Sequence, residues 1–306
     1  MKKAVNMTEY IQRKNEFMEA LIWGAFHMAD DGSKSYHYTS LDGFKNILDS
    51  NKIYATEYHY LNDEEEFRYI DNLVDEMIEK LFSNTTNEEV LIGLLRKHLD
   101  ELRLKTDKPE ESYYVVCFSN KKDNLTLWSE FASYGCNFEA NPYTMFESAI
   151  KFHSVIYDYA SQQALIKDSF QNVFDHFGLG VDISHKASIR GKLEKLNTIQ
   201  LDIVAECIAE LLVYYGTLMK RELYAAEQEF RVILSGKGKE IKYRVKEHML
   251  IPYIEVSLSR ERWLGNEIIL APLNHKDSCK RSVQTYIDSL GYKDVKVAYS
   301  EIRLRY

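Results

Sequence analysis

The sequence predicts an α+β protein whose sheet carries helical insertions. Short alternating or continuous apolar runs, typical of strands, are interleaved with longer stretches whose apolar residues recur every three or four positions, as in helices. The chain also has 22 Tyr, a side chain that suits half-buried strands and ligand clefts alike. A length of 306 residues allows one large domain. We therefore expect a single α+β domain over 1–306, with an N-terminal helix in 1–30 and a helical insertion or lid in 160–223.

The composition is that of an ordinary globular protein. Hydrophobic residues make up 45% and charged residues 28%, and the formal net charge is −8. Because phosphate contacts dominate affinity for nucleic acids, such a partner would need a local basic patch, and no long basic run is present. The start of the chain turns polar after two lysines, and no run reaches the roughly 18 apolar residues of a membrane span. The four cysteines are scattered, so we expect a reducing cytoplasm and no membrane.

The first half of the chain predicts helices and strands in alternation. Residues 8–29 have helical spacing, and SYHYTS (35–40) has the pattern of a strand. Ser40 is placed to cap the helix that follows, and KIYATEY (52–58) alternates as a second strand would. A helix should then begin near LNDEEEF, capped by Asp63, and run to Leu81.

The second half predicts a longer helical region and most of the sheet. A helix should end near residue 105, and YYVVCFS (113–119) is the clearest buried strand. Asp123 or Asn124 is placed to cap the helix LTLWSEFA. The pattern from 160 to 223 is helical, and a helix from 278 to 290 should end at Gly291. The remaining strands are expected in EFRVIL, MLIPYIEV, EIILAPL and VKVAYS.

The segment EQEFRV contains the first candidate site. A strand period of two would place Glu227, Glu229 and Arg231 on one face, with Phe230 and Val232 on the core side. Two carboxylates on a shared face repel, so one needs a raised pKa or a cationic partner, which Arg231 can provide. A structural ion pair on a half-exposed strand explains the same pattern.

Other polar candidates also have simple structural explanations. A lone strand histidine such as His37 is more often a hydrogen-bonded core residue than a catalyst. The carboxylates beside Asn62 and Asp63 suit a helix N-terminus, where unpaired N–H groups attract anions. Trp128 is spaced for core packing or for the wall of a ligand pocket, and Ser119 ends its strand, where loops often carry sites.

Common catalytic motifs are missing from the sequence. There is no G-x-G-x-x-G, Walker loop, H-E-x-x-H or G-x-S-x-G, so the dinucleotide-fold, P-loop, zincin and hydrolase-elbow classes are not indicated. His37, His59 and Asp63 could share a metal, but their spacing matches no standard site. We therefore expect no metal.

Five segments together resemble a bacterial family catalogued as a domain of unknown function, number twenty-nine seventy-one. The resemblance covers most of 34–306 and is weakest in the N-terminal helix and near 160–222. The segments are YHYTS (36–40), IYATEYHYLNDEEEFRY (53–69), VVCFSNKKDNLTLWSEFASYG (115–135), EQEFRV (227–232) and SEIRLRY (300–306).

The same segments more distantly resemble the ADP-ribosyltransferase superfamily. Its members have a His or Arg on the first core strand, an aromatic or Ser/Thr on a second motif strand, and a Glu on a later one. A His first motif with an E-x-E third motif departs from the commonest patterns and leaves open which glutamate is catalytic. The matching positions, in chain order, are His37 with Tyr38 and Thr39, Phe118 with Ser119, and Glu227-Gln228-Glu229.

This resemblance implies a split sheet, mixed or antiparallel, and NAD as the substrate. Breaking the nicotinamide–ribose bond builds positive charge on the sugar, which a fixed carboxylate stabilises. Glu229 would hold the nicotinamide ribose and Glu227 would orient the acceptor. His37 would hold the adenosine ribose, and Tyr38 or Trp128 would stack on a ring of NAD. The Asn62–Asp63 turn would form the floor of the pocket. Thr39, Ser119 and Arg231 would provide the remaining contacts.

The leading hypothesis is therefore an NAD-using ADP-ribosyltransferase-like enzyme, either a toxin or an anti-phage effector that modifies a protein or nucleic acid or consumes NAD. One alternative is a metal-dependent nuclease in which Glu227, Glu229 and Asp63 gather Mg²⁺. The other is a non-catalytic sensor or interaction module whose charged strand is only structural. The helices of 160–223 are also candidates for a homo-oligomer face.

Overall fold

The structure, a computed structural model, has the expected α+β architecture. It describes residues 7–22, 34–62, 66–140, 142–146, 152–246, 248–259, 263–274 and 276–303. Within these residues, ten strands form one open sheet. All pairs are antiparallel except that of the two strands nearest the C-terminus, so the sheet is mixed.

Helices and strands are interspersed along the described residues. The helices are α1 (Met7–Ile22), α2 (Leu41–Ser50), α3 (Glu66–Leu81), α4 (Thr86–Thr106), α5 (Leu125–Phe131), α6 (Pro142–Met145), α7 (Tyr159–His176), α8 (Lys186–Leu193), α9 (Thr198–Gly216) and α10 (Asp277–Ser289). The strands are β1 (Ser35–Thr39), β2 (Lys52–Glu57), β3 (Tyr113–Ser119), β4 (Cys136–Ala140), β5 (Phe152–Ser154), β6 (Glu229–Ser235), β7 (Lys242–Lys246), β8 (Met249–Ser257), β9 (Leu264–Leu270) and β10 (Lys296–Tyr299).

The chain divides into two compact units, each built from separate segments. One unit contains 1–27, 58–112 and 156–222, and the other contains 28–57, 113–155 and 223–306. The single domain expected over 1–306 stays a prediction, as does the role of 160–223 as an insertion or lid.

The first unit contains helices α1, α3, α4, α7, α8 and α9. Helix α9 is buried on almost every side, because apolar residues occupy most of its circumference. Tyr10 of α1 packs against Phe177 with ring centroids 5.1 Å apart, and Phe17 lies against His176 at 5.3 Å. This unit is thus a helical assembly around α9.

The second unit contains the whole sheet, and β3 is its junction. One edge of β3 pairs with β6 along its full length, from Tyr113 opposite Ser235 to Ser119 opposite Glu229. The other edge is shared, because β2 pairs near the start of β3 and β1 at its end. From this junction the sheet continues through β1, β4, β9 and β10 on one side and through β2, β8 and β7 on the other.

One face of this sheet forms the main hydrophobic core of the second unit, which we call the core face. Phe118, Phe138 and Val232 project from three of its strands and are almost fully buried. Phe44 of α2 and Ile287 of α10 belong to the same cluster. Because successive strand residues alternate between faces, their neighbours in β3, β4 and β6 point to the opposite side.

Most expected elements are confirmed. Ser40 caps α2 by accepting a hydrogen bond from the Gly43 N–H, and Asn124 rather than Asp123 caps α5 by accepting one from the Leu127 N–H. Gly291 has a φ of +92°, as a glycine after a helix end often does. Strands β4, β5 and β7 were not expected from the sequence. The predicted cap Asp63 lies outside the described residues.

The placement of Glu227 on a strand is wrong. Strand β6 begins at Glu229, and Glu227 ends a short 3₁₀ helix, Glu222–Glu227. Gln228 between them has a φ of +41°, which breaks the alternation that a continuous strand would require.

Candidate functional site

Three strands that carry the candidate motifs are neighbours in the sheet. Strand β1 pairs with β3 and β3 pairs with β6. Ser119 is the partner of both Tyr36 on β1 and Glu229 on β6. Directly opposed residues in antiparallel strands point to the same side, so Ser119, Glu229 and Arg231 share one face, which we call the carboxylate face.

A buried ion pair lies at the centre of the carboxylate face. An Nη2–H of Arg231 donates to Oε2 of Glu229 at 2.9 Å, and the two residues are 1% and 7% exposed. The strand period of two therefore predicted this contact correctly. Removing two charges from water costs several kcal/mol per ion and is repaid only when geometry and hydrogen bonds are good. The pair fixes the position of the Glu229 side chain on this face.

The backbone before Glu229 is held by hydrogen bonds to the end of β3 and the loop after it. The Ser119 hydroxyl donates to the Glu227 carbonyl at 2.6 Å and accepts from the Lys121 N–H at 3.0 Å. The Asn120 N–H donates to the Gln228 carbonyl at 3.2 Å. Glu227 is 3% exposed. These bonds fix the two buried glutamates on either side of the left-handed Gln228.

A buried histidine extends the group on the far side of β6. His153 of β5 lies directly opposite Arg231 and is itself buried, and the Val155 N–H donates to the Glu229 carbonyl at 2.9 Å. His153 was not expected from the sequence. Its segment FHS is too short to show a strand period, so only the pairing with β6 shows that it faces the charged residues.

Tyr38 and Trp128, expected to stack on a ligand ring, instead contact each other and the loop after β3. Their ring centroids are 4.7 Å apart in an edge-to-face arrangement, and Trp128 is almost fully buried. The Tyr38 hydroxyl donates to the Lys121 carbonyl at 2.7 Å, and the Trp128 indole N–H donates to Asp123 at 2.6 Å. Burial raises the pKa of Tyr38. Both side chains thus support the loop that holds Glu227.

That loop is also tied to the 3₁₀ helix before β6 and to the C-terminal segment. Asn124 donates through its side-chain amide to the Ala226 carbonyl at 2.9 Å. Asp123 accepts hydrogen bonds from the Ser300 hydroxyl and the Glu301 N–H, both at 2.7 Å. These contacts support the position of Glu227 from outside the carboxylate face.

His37 points to the core face rather than the carboxylate face. Its ring lies 5.4 Å from Phe118 and 5.5 Å from Phe138, and its Nδ1–H donates to the Cys117 carbonyl at 2.9 Å. Burial lowers the pKa of His37 to about 4. The hydrogen bond to the Cys117 carbonyl raises this pKa in part, and the nearby charge of Arg244 lowers it slightly. The ring is therefore neutral at pH 7.

Two further expected contact residues, Thr39 and Asn62, are among the described residues. Thr39 ends β1, where its carbonyl lies so close to Gly135 that a Cβ there would be 2.0 Å away. Asn62, in the helical unit, accepts a hydrogen bond from Lys220 at 3.3 Å, while Asp63 lies outside the described residues.

The structure therefore brings together Ser119, Glu227, Glu229 and Arg231, adds His153, and does not bring the His37 side chain to them. Among the described residues, no group of three or more His, Cys, Asp or Glu side chains is arranged to hold a metal ion. None of the helices in the described ranges is long and apolar enough to cross a membrane. In comparisons with known proteins, no family model, curated protein or solved structure matches this chain.

Proposed function

We propose that this chain is an NAD-consuming enzyme of the ADP-ribosyltransferase kind, with its reactive carboxylates at Glu227 and Glu229. The observation that carries the proposal is the adjacency of β1, β3 and β6, with Ser119 directly opposite Glu229. The shared edge of β3 supports the same proposal, because β1 and β2 pair with opposite ends of it, as the halves of a split sheet would.

The burial of charge supports a functional use of these residues. Replacing a buried ion pair by apolar side chains of similar volume is often neutral or stabilising, so stability alone is a weak reason for such a pair. Perturbed and buried charges concentrate at functional sites. The left-handed Gln228 between the two glutamates adds backbone strain of the kind that also clusters there.

In the proposed reaction, the bond between ribose C1′ and the nicotinamide nitrogen breaks, and its electron pair leaves with neutral nicotinamide. Positive charge develops on the ribose, and the Glu229 carboxylate stabilises it while accepting a hydrogen bond from a ribose hydroxyl. Arg231 holds the Glu229 carboxylate in place through their 2.9 Å contact. Glu227 orients the acceptor, which attacks C1′ and loses a proton; the acceptor is water, a protein or a nucleic acid.

The roles of the aromatic residues and His37 differ in this proposal from those that the resemblance implies. Tyr38 and Trp128 act by supporting the loop after β3 rather than by stacking on a ring. His37 faces the core and holds β3 through the Cys117 carbonyl, so the proposed chemistry depends on β3 and β6.

The test is nicotinamide release from NAD by the full chain, with and without host extract, measured by chromatography. The variant Glu229→Gln should lose at least about 100-fold in rate, because a preorganised group that stabilises the transition state is typically worth that much. Glu130→Gln, at an exposed position of α5, is the matched control and should keep the wild-type rate.

A second variant separates activity from folding. Glu229→Gln removes the negative charge 2.9 Å from the buried Arg231 guanidinium, which should cost roughly 3–5 kcal/mol of stability. The double variant Glu229→Gln/Arg231→Met removes both charges, so it should recover much of that stability while staying inactive. An active double variant, or a wild-type chain that neither releases nicotinamide nor binds NAD in a calorimetric titration, contradicts the proposal.

A non-catalytic interaction module is the second candidate, favoured by the same ion pair, since the contact between Glu229 and Arg231 can serve a purely structural role. In that case Glu229→Gln changes stability and the wild type releases no nicotinamide. Metal-dependent cleavage of DNA or RNA without NAD would instead identify the nuclease alternative.

A further inference from the structure

The outer edge of β7 presents an exposed apolar strip. Strand β7 pairs with β8 on one side, and no strand of the described residues pairs with its other side. Tyr243, Val245 and Leu250 are 56%, 75% and 63% exposed. Tyr243 lies opposite Pro252 and Val245 opposite Leu250, so all four share one face of the hairpin. Apolar side chains grouped in this way on a surface commonly mark an interaction site.

The same hairpin carries positive charge in an acidic protein. Residues 237–250 contain five basic side chains and two acidic ones, a net charge of +3, whereas the whole chain has −8. Lys242, Arg244 and Lys246 alternate with the exposed apolar residues and so point to the other face of β7. On that face Lys242 pairs with Glu255 at 3.0 Å and the half-buried Arg244 donates to the Thr56 hydroxyl at 2.7 Å, while Lys246 is exposed. The strand thus offers an apolar face, a basic face and an open backbone edge.

Charge decides against a second copy of the chain as the occupant. Antiparallel pairing of two β7 strands about Arg244 would place the two Arg244 side chains opposite each other and Lys242 opposite Lys246. Like charges directly opposed across strands are destabilising. Lysine side chains on an edge strand commonly prevent pairing with a second copy by charge repulsion. The same positive charge attracts a strand that carries negative side chains.

We propose that the outer edge of β7 binds an extended segment of another protein in which acidic side chains alternate with apolar ones. The segment adds a strand to the sheet through backbone hydrogen bonds. Its apolar side chains cover Tyr243 and Val245, and its carboxylates face Lys242, Arg244 and Lys246. This interaction does not depend on the proposed reaction with NAD, so Glu229→Gln/Arg231→Met should bind the segment normally.

The test uses three labelled nine-residue peptides with blocked ends and fluorescence anisotropy. One alternates Glu and Val, one has the same composition in two blocks, and one alternates Lys and Val. The alternating acidic peptide should bind and protect the amides of β7 from hydrogen exchange. Val245→Ser should weaken it about tenfold, since burial of one such side chain is worth about 1.5 kcal/mol.

A matched pair of charge reversals tests the basic face. Lys246→Glu should weaken binding about tenfold, whereas Lys293→Glu, in an exposed turn before β10, changes the net charge equally and should not. The proposal is overturned if the alternating acidic peptide does not bind at millimolar concentration. It is also overturned if the block peptide binds as well, or if Lys293→Glu weakens binding as much as Lys246→Glu.

Other occupants would be recognised by their own signals. Tighter binding of phosphatidylserine vesicles or of a single-stranded oligonucleotide, lost in Val245→Ser, would replace the peptide with a membrane or nucleic acid and overturn the proposal. Sedimentation velocity that shows a dimer abolished by Val245→Ser would identify a second copy and overturn it too.

Discussion

His37 is a single side chain whose protonation should be visible in the stability of the protein. Its pKa is about 4 in the folded chain, because burial disfavours the charged ring, and about 6.5 when unfolded. Between these values the unfolded state binds more protons, so the free energy of unfolding rises with pH. We expect the contribution of His37 to be fully present above pH 6.5 and lost as pH falls to about 4.

The variant His37→Asn isolates this contribution, because the amide can still donate to the Cys117 carbonyl but does not titrate. Its urea midpoint should depend less on pH between 4 and 6.5 than that of the wild type. His248→Asn, at an exposed turn with a φ of +70° that Asn tolerates, should keep the wild-type slope. An unchanged slope in His37→Asn would contradict the lowered pKa of this half-buried ring.

Single residues were predictable from sequence where their partner lies on the same strand. The contact of Arg231 with Glu229 follows from the strand period, because residues two apart share a face. The environment of His37 does not follow, since Phe118 and Phe138 come from two other strands whose register the sequence leaves open. The contact of Trp128 with Tyr38 does not follow either, because the sequence does not show how α5 packs against β1.

The left-handed Gln228 controls how the 3₁₀ helix passes into β6. A non-glycine residue with a φ of +41° costs roughly 1 kcal/mol relative to glycine. Gln228→Gly should therefore stabilise the protein by about 0.5–1 kcal/mol, measured by thermal or urea unfolding.

Asn51 provides the matched comparison. It also has a positive φ, +51°, but its side chain forms hydrogen bonds. Its amide donates to the Leu258 carbonyl at 2.9 Å and accepts from the Trp263 indole at 3.2 Å. Asn51→Gly should destabilise the protein, because two hydrogen bonds are lost. If Gln228→Gly does not stabilise the protein, the backbone conformation at Gln228 is not limiting. If Asn51→Gly stabilises it, the two hydrogen bonds of Asn51 contribute less than its backbone strain costs.

Whole elements were predicted where local patterns are strong. The apolar run of β3 and the stripes of α4 and α9 determine their own structure. Strands β4, β5 and β7 were not predicted, because they are short and adopt their conformation through pairing with β1, β6 and β8. Glu227 was assigned to a strand because the sequence EQE does not indicate that Gln228 has a left-handed backbone conformation.

At the scale of the whole molecule, α9 is central to the packing of the helical unit. Ile208 is fully buried in α9, while Ile199 in the same helix is 59% exposed. Ile208→Ala should therefore cost about 2–5 kcal/mol, whereas Ile199→Ala should cost well under 1 kcal/mol. Urea unfolding followed by circular dichroism tests both. Equal losses would contradict the placement of α9 in the core of that unit.

The division into two units could not be read from the sequence. Each is assembled from three separate segments. The polar run TDKPEES precedes the change at residue 112 and DDGSKS follows the change at 27, but no such run marks the changes at 57 and 155. Those transitions depend on long-range packing, which local periodicity does not encode. The α+β class, in contrast, follows from the kinds of elements alone.

The interleaving of the segments has a consequence during translation. The helical unit is fully encoded once residue 222 has been made, but the two glutamates and β6 follow directly afterwards, and β7 to β10 later still. At about 5–20 residues per second, the ribosome needs roughly 4–17 s more to reach residue 306. A nascent chain can thus contain all residues of the helical unit while β6, which pairs with β3, and β7 to β10 are still being synthesised. Any activity at Glu229 would be withheld until the growing polypeptide supplies those strands.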